Sequence, residues 1–144
     1  MTTDLVADLA KKSGLLWVRY DGRPHAVWHE WVGDAACVVS GGGEQALPRI
    51  ADQATVTLHL RSKSTRALAA ETMARVEVVD PGSEHWDPVT AALKAGRLNL
   101  VDADRAIERW ASESVVVRLV PTGEVTVPAH MESGLRRTAP RLSR

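Results

Sequence analysis

The glycine run at residues 41–43 and the polar bend at residues 61–66 are the two segments best suited to hold an anion. Glycine loops bring backbone N–H groups close to an anion, although this one lacks the Lys and Ser/Thr of a phosphate loop. The loop residues are Ser40, Gly41, Gly42 and Gly43. The bend carries three cations and three hydroxyl groups. It fits either a solvated bend or a clamp in which Arg61 and Lys63 hold an anion.

His25, His29 and Trp31 fall in a segment whose residue pattern predicts a β-strand. Residues four apart on a strand are separated by about 13 Å, so His25 and His29 cannot chelate one ion by themselves. The sequence has only one cysteine and no His-x-His spacing, and it therefore predicts no metal site. His29 and Trp31 share a strand face, where they are either edge or interface residues or the lining of a ligand pocket.

The aromatic residues are unusual, because five tryptophans accompany one tyrosine and no phenylalanine. Trp17, Trp28 and Trp31 lie in the first predicted hairpin. They either fill a core or an interface, or they stack on a planar ligand. Cys37 lies in an apolar strand without a cationic neighbour in sequence, which predicts a buried, inert thiol. No Gly-x-Ser-x-Gly motif is present, so a hydrolase triad has no support and the catalytic residues are unknown.

The composition is that of one globular domain that has no overall attraction to nucleic acid or anionic membranes. Among 144 residues, Lys plus Arg and Asp plus Glu both number 18, and the formal net charge is zero. No apolar run approaches the ~20 residues that a membrane-spanning helix needs. The single cysteine and the lack of a signal-like N-terminus predict a cytoplasmic protein.

The elements that must position these residues are mostly strands. Residues 4–12 predict a helix, and a second and third helix follow residues 81–83 and Asp102. Asp21-Gly22 predicts a tight hairpin turn. The predicted strands are 15–20, 24–32, 35–40, 54–61, 68–79 and 115–120, and the Ala-rich start of the 68–79 segment fits a helix equally well. These elements form a domain over residues 1–127, followed by a mobile basic C-terminal tail or arm at 128–144.

Five segments, taken in their order along the chain, resemble the flavin-nucleotide-binding split barrels, the superfamily of pyridoxamine 5′-phosphate oxidase and the flavin/deazaflavin oxidoreductases. The segments are the strand 15–20, the turn Asp21-Gly22-Arg23-Pro24-His25, the strand that reaches Trp31, the strand end Val38-Val39-Ser40-Gly41, and Ala51-Asp52 before the Val56 strand. The resemblance covers residues 14–121. It implies an antiparallel split β-barrel, mainly β with flanking helices, that forms a homodimer with two cofactors bound along the subunit interface.

The resemblance also implies a function as an oxidoreductase that uses FMN or the deazaflavin F420 on a small organic substrate. In that family a lysine or arginine after the third strand often holds the cofactor phosphate, and Gln45 stands at this position here. The loop is similar to that of an actinobacterial-type branch with a Gly-Glu-Gln-x-Leu-Pro sequence, in which Glu44 would repel a phosphate. We therefore expect Arg61 and Lys63, helped by Ser40 and the 41–43 backbone, to hold the anion. The alternative is a non-catalytic split barrel that binds another planar ligand such as haem, or no cofactor.

Overall fold

Seven strands of this chain form one antiparallel sheet with three helices around it. A computed structural model describes residues 2–12, 15–42, 44–61, 68–96 and 105–126. The helices are α1 (Thr2–Lys12), α2 (Trp86–Gly96) and α3 (Ala106–Glu113). The strands are β1 (Leu15–Tyr20), β2 (Arg23–Trp28), β3 (Glu30–Val32), β4 (Ala35–Ser40), β5 (Thr55–Arg61), β6 (Leu68–Val78) and β7 (Val115–Thr126).

The sheet is curled, and its two outer strands, β2 and β3, are not paired with each other and are consecutive in the chain. The strand order is β2-β1-β5-β6-β7-β4-β3. Only His29 separates the end of β2 from the start of β3, so the two edges of the sheet meet at this residue. A curled sheet of this kind encloses one face of every strand. Alternating residues such as Val56, Leu58 and Leu60 therefore point into an apolar interior.

Helix α1 packs against the barrel and contributes to the interior core. Val6 and Ala10, one helical turn apart, are buried among residues of that core. Leu5, the residue before Val6, is exposed. The helix contacts β3, β5 and β7, so it fixes the region where the sheet edges meet.

A second core lies outside the barrel, between the sheet and the helices α2 and α3. All six residues of β4 are buried, because one face of this strand lines the barrel and the other faces the helices. Trp86 and Leu93 from α2 and Trp110 from α3 pack on that outer face around Cys37. The sequence prediction of two helices attached to the barrel is confirmed.

The structure differs from the sequence-based elements at two places, and at a third it decides between two alternatives. The predicted strand 24–32 is broken at His29, and the last strand continues beyond residue 120 to Thr126. Pro121 is accommodated in β7 because it lies opposite Ala74, where the register between β6 and β7 shifts. The Ala-rich start of β6 is a strand, not a helix.

Other sequence predictions are confirmed or fall outside the description. Asp21 and Gly22 both have positive φ values, 52° and 74°, as a tight hairpin turn between β1 and β2 requires. Asp102 and the tail at 128–144 lie outside the described residues. Within the described ranges, no helix combines the length and the apolar character needed to cross a membrane.

Candidate functional site on the outer face of the sheet

One face of the sheet is left uncovered by both cores. The outward side chains of β1, β5 and β6 belong to neither core cluster in the part of the chain that the structure describes. We call one part of this surface the open face; this part consists of Leu15, Trp17, Arg19, Thr57, His59, Arg61, Glu71 and Met73. Leu15 and Met73 are 59% and 42% exposed. The open face thus presents apolar, aromatic and charged groups together to solvent.

Arg61 lies over the indole ring of Trp17. Its guanidinium carbon is 5.5 Å from the ring centroid, which is within the range of a cation–π interaction. Arg61 ends β5, two residues after His59, and the register places His59 opposite Trp17 on β1. Arg61 is exposed and Trp17 is partly buried. The pair offers a flat aromatic surface together with a positive charge.

His59 and Glu71 form a second contact on the same face. They lie directly opposite each other on β5 and β6, and Trp17 lies opposite His59 on β1. The distance between His59 Nε2 and Glu71 Oε2 is 2.7 Å, and the two side chains are 16% and 41% exposed. Trp17, His59 and Glu71 therefore form one row across three strands.

The glycine loop is packed against the end of α3 and the start of β7. Gly41 donates its N–H to the carbonyl oxygen of Gln45 at 2.9 Å and accepts from Ser114 Oγ at 3.0 Å. Gly42 has a φ of 60°, and a Cβ at this position would lie 2.6 Å from Ser114 Oγ. Ser40 Oγ accepts the Leu47 N–H at 2.9 Å. The Gly41 N–H and the Ser40 hydroxyl oxygen are thus already bonded within the protein.

Glu44 turns inward instead of projecting from the loop. Its side chain is 3% exposed, and Oε2 accepts from Arg109 Nη2 at 3.1 Å and from Trp110 Nε1 at 3.2 Å. Arg109 also donates to the carbonyl oxygen of Gly42 at 2.6 Å. The carboxylate is thus compensated by α3, as a buried charge must be. Arg109 is 65 residues away from Glu44 in sequence, so no local sequence pattern predicts this contact.

Gln45 joins the two strands that separate at the break in the barrel. Its Oε1 accepts the Trp28 N–H at 2.8 Å, and its Nε2 donates to the carbonyl oxygens of Trp28 at 2.7 Å and Val39 at 3.4 Å. Glu30 pairs with Cys37, so an unbroken ladder would place Trp28 opposite Val39. The side-chain amide of Gln45 lies in the gap between Trp28 and Val39. Its oxygen and its nitrogen both bond the backbone there, and these bonds link the two strands.

The residues predicted to contact a cofactor do not all lie on one side of the sheet. His29 is buried, with Nε2 3.0 Å from the carbonyl oxygen of Ala10 in α1, and Trp31 packs against the interior core. Both lie on the inner side of the sheet, away from Arg61. Lys63 and Gly43 lie outside the described residues. The roles assigned to His29, Trp31 and the glycine loop therefore stay predictions.

Cys37 does not have the environment of a reactive thiol. It is fully buried, and burial raises its pKa to about 12, with Arg118 acting in the opposite direction. A thiol in this state is not a nucleophile at neutral pH. In the described ranges, no three His, Cys, Asp or Glu side chains approach closely enough to hold a metal ion.

Comparison with known proteins identifies the fold. No protein-family model and no curated protein matches the sequence, but several solved structures match the chain. The haem storage protein HutZ from Vibrio cholerae is 15% identical, with 86% of this chain and 92% of that protein covered and a TM-score of 0.59. An F420 reductase is 21% identical, with 83% and 94% covered and a TM-score of 0.52.

A third solved structure matches almost the whole chain. The general stress FMN/FAD binding protein from Xanthomonas citri is 11% identical, with 99% and 94% covered and a TM-score of 0.57. Because all three proteins align over most of both chains, the likeness concerns the whole barrel and not one motif. The chain is therefore a split β-barrel of the type found in FMN-binding proteins.

Proposed function

We propose that the protein binds a flavin-type cofactor, FMN or F420, on the open face and acts as an oxidoreductase on a small organic substrate. The observation that carries the proposal is the position of the Arg61 guanidinium over the Trp17 ring. A planar ring that carries an anionic group needs an aromatic surface and a nearby cation, and this pair supplies both. An F420 reductase and an FMN/FAD binding protein share the fold, which supports this choice of cofactor.

We assign the anion to Arg61 because the position that often carries the phosphate-binding cation in the family is the uncharged Gln45 here. Gln45 and Glu44 are both engaged inside the protein. Arg61 is exposed at the end of β5, and Lys63, two residues further along the chain, is expected to assist it. The bound ring would supply the hydride chemistry. The chain would bind the ring, orient it and exclude water from it.

The proposed assembly is a homodimer that pairs through the open face. Leu15 and Met73 are exposed large apolar residues at opposite ends of this face, and they would be its apolar contacts with a second copy. A ligand pocket buries about 70–90% of its ligand, which one side of a sheet does not achieve alone. A second copy would cover both the apolar residues and the ring. Light scattering that gives a monomer mass at micromolar concentration would contradict this assembly.

The test is titration of FMN and of F420, followed by fluorescence, into the wild type and Arg61→Ala. Losing one charge-assisted contact should weaken binding by about tenfold to a hundredfold. Arg49→Ala is the matched control, since Arg49 is also an exposed arginine but pairs with Asp21 at the first hairpin turn. Equal affinity of Arg61→Ala and the wild type would refute the location. Binding of neither cofactor to the wild type would refute the flavin function.

Haem is the second candidate ligand, and the position of His59 favours it. His59 lies beside Trp17 on the open face, and a histidine next to an aromatic surface suits a planar iron porphyrin. The haem storage protein HutZ has the same fold. Titration with haemin should then give a Soret band that His59→Gln abolishes, while FMN and F420 leave the protein uncoloured.

A further inference from the structure

Arg61 occupies the position on Trp17 that a stacked ligand ring would take. Its guanidinium carbon lies 5.5 Å from the centroid of the indole ring. Stacked aromatic rings have their centroids about 4.5–7 Å apart, and a guanidinium is planar and covers an aromatic face as a second ring would. A ligand ring therefore cannot stack on this side of Trp17 until the guanidinium has moved away.

The place of Arg61 in the fold permits this movement. Arg61 is the last residue of β5 and is exposed, so its side chain can leave the ring without disturbing either core. A cation–π contact at an exposed site contributes little stability, and a competing ring loses only about two- to fivefold in affinity by breaking it. Arg61 thus hinders stacking on Trp17 without preventing it.

The effect of the movement depends on the charge of the ligand. An anionic group on the ligand accepts hydrogen bonds from the displaced guanidinium, and this charge-assisted contact is stronger than the cation–π contact that it replaces. A ring without an anionic group gives the guanidinium only water as a partner. Discrimination between ligands often combines a favourable contact to one with an unfavourable contact to the other. Here one side chain would supply both.

Two neighbouring arginines on the outer side of the sheet have different contacts. Arg75 in β6 bonds to Glu77, so its charge is already matched. Arg19 in β1 is exposed and lies two residues beyond Trp17. Within the described residues, only the guanidinium of Arg61 is found over an aromatic ring. Removal of Arg61 therefore changes the access to Trp17, whereas removal of Arg19 changes only the charge of the face.

We infer that Arg61 is a specificity-determining residue, which covers Trp17 in the ligand-free protein, disfavours uncharged planar rings and moves onto the anionic group when a phosphorylated ring binds. This inference rests on the proposed function, because it assumes that the ring stacks on Trp17. The same arginine thereby favours FMN and disfavours riboflavin, which has the same ring and no phosphate. Removing Arg61 should therefore change the two affinities in opposite directions.

The experiment titrates FMN and riboflavin, followed by flavin fluorescence, into the wild type and Arg61→Ala. We expect Arg61→Ala to bind riboflavin about two- to fivefold more tightly than the wild type, because the indole ring is uncovered. It should bind FMN about tenfold more weakly, because the phosphate loses its cation. Arg19→Ala is the matched control: it removes a charge but leaves Trp17 covered, so riboflavin should bind it as it binds the wild type. In a Trp17→Leu background, the riboflavin gain from Arg61→Ala should disappear.

The outcomes distinguish the inference from the proposed function. If Arg61→Ala weakens the binding of both flavins, or of FMN alone, the ring does not compete with Arg61 for Trp17; the inference is then wrong and the proposed function stands. Unchanged FMN affinity in Arg61→Ala refutes both. If neither flavin binds the wild type or Arg61→Ala, the inference is wrong and the proposed function depends on F420 alone. A riboflavin gain that persists in the Trp17→Leu background would also overturn the inference, and circular dichroism spectra show whether each variant is folded.

Discussion

The side chain of Gln45 bonds both backbone groups of Trp28, at 2.8 Å to the N–H and 2.7 Å to the carbonyl oxygen. It lies where a continued ladder between β3 and β4 would have placed Val39 opposite Trp28. A side-chain amide suits this position, since it has one acceptor and two donor hydrogens in the same plane. A lysine at residue 45 would supply hydrogen-bond donors but no acceptor, so it could not bond both backbone groups of Trp28. Residue 45 therefore cannot be a phosphate-binding cation and also make these two hydrogen bonds.

Gln45→Ala should therefore destabilise the protein by about 1–3 kcal/mol, because it leaves partly buried backbone groups without partners. Gln45→Lys should be destabilising as well. Gln53→Ala is the control, as the Gln53 amide makes one exposed hydrogen bond to the Arg49 carbonyl oxygen at 3.3 Å. Urea unfolding of the three variants measures the difference. Equal stability of Gln45→Ala and Gln53→Ala would contradict the role of Gln45.

Trp110→Ala should cost about 3–5 kcal/mol, since the ring is fully buried in the core under α2 and α3. Trp110→Phe keeps most of the packing but removes the bond to Glu44, and should cost less. Trp17→Ala serves as the comparison, because that ring is only partly buried on the open face. Thermal unfolding should place Trp110→Ala lowest, and an unchanged melting temperature would show that the ring is not buried.

Gly42→Ala should be more destabilising than Gly33→Ala. Both residues have a positive φ, 60° and 64°, so both alanines bear a similar backbone cost of about 1–2 kcal/mol. Only at Gly42 does the new Cβ meet other atoms, with Ser114 Oγ at 2.6 Å and the Glu113 carbonyl oxygen at 2.9 Å. Differential scanning calorimetry of the two variants tests the packing of the loop. A larger loss for Gly33→Ala would refute it.

Glu30→Gln should stabilise the protein at neutral pH. Burial raises the pKa of Glu30, and its carboxylate lies against Gly96 at the C-terminal end of α2, where negative charge is unfavourable. A carboxyl with a raised pKa in the folded state contributes stability below its unfolded pKa, about 4.3, and loses that contribution as pH rises through the folded pKa.

The increase in the free energy of unfolding caused by Glu30→Gln should accordingly be present at pH 7 and disappear near pH 4. Glu84→Gln is the control, since that side chain is 89% exposed and its substitution should have little effect at either pH. Chemical unfolding at both pH values measures the effect. A gain that is as large at pH 4 as at pH 7 would mean that charge is not its cause.

Local patterns predicted the parts of the fold that depend on local chemistry. Asp-Gly gave the first hairpin because both residues accept positive φ, and the alternation in β5 placed Thr57, His59 and Arg61 on one face. The break at His29 was not predictable, because the residues on both sides keep a strand pattern. The break separates β2, which pairs with β1, from β3, which pairs with β4, and this change of partner depends on contacts that are distant in sequence.

The candidate site was predictable only in part, for the same reason. Arg61 could be placed on an outward face, but its contact with Trp17 depends on β1 pairing with β5. The sequence indicated that Gln45 replaces a cation and did not show what Gln45 does instead. Its partner Trp28 is 17 residues away, and the two meet only once the barrel has closed.

The amide of Gln45 has a further consequence for the barrel at the place where it opens. A strand that leaves its neighbour exposes a row of backbone donors and acceptors, and such an edge is a template for pairing with strands of other molecules. At Trp28 those groups are already occupied by a side chain of the same molecule. The opening is thereby protected from intermolecular strand addition, and loss of this amide should promote aggregation through the edge of β2 as well as weaken the fold.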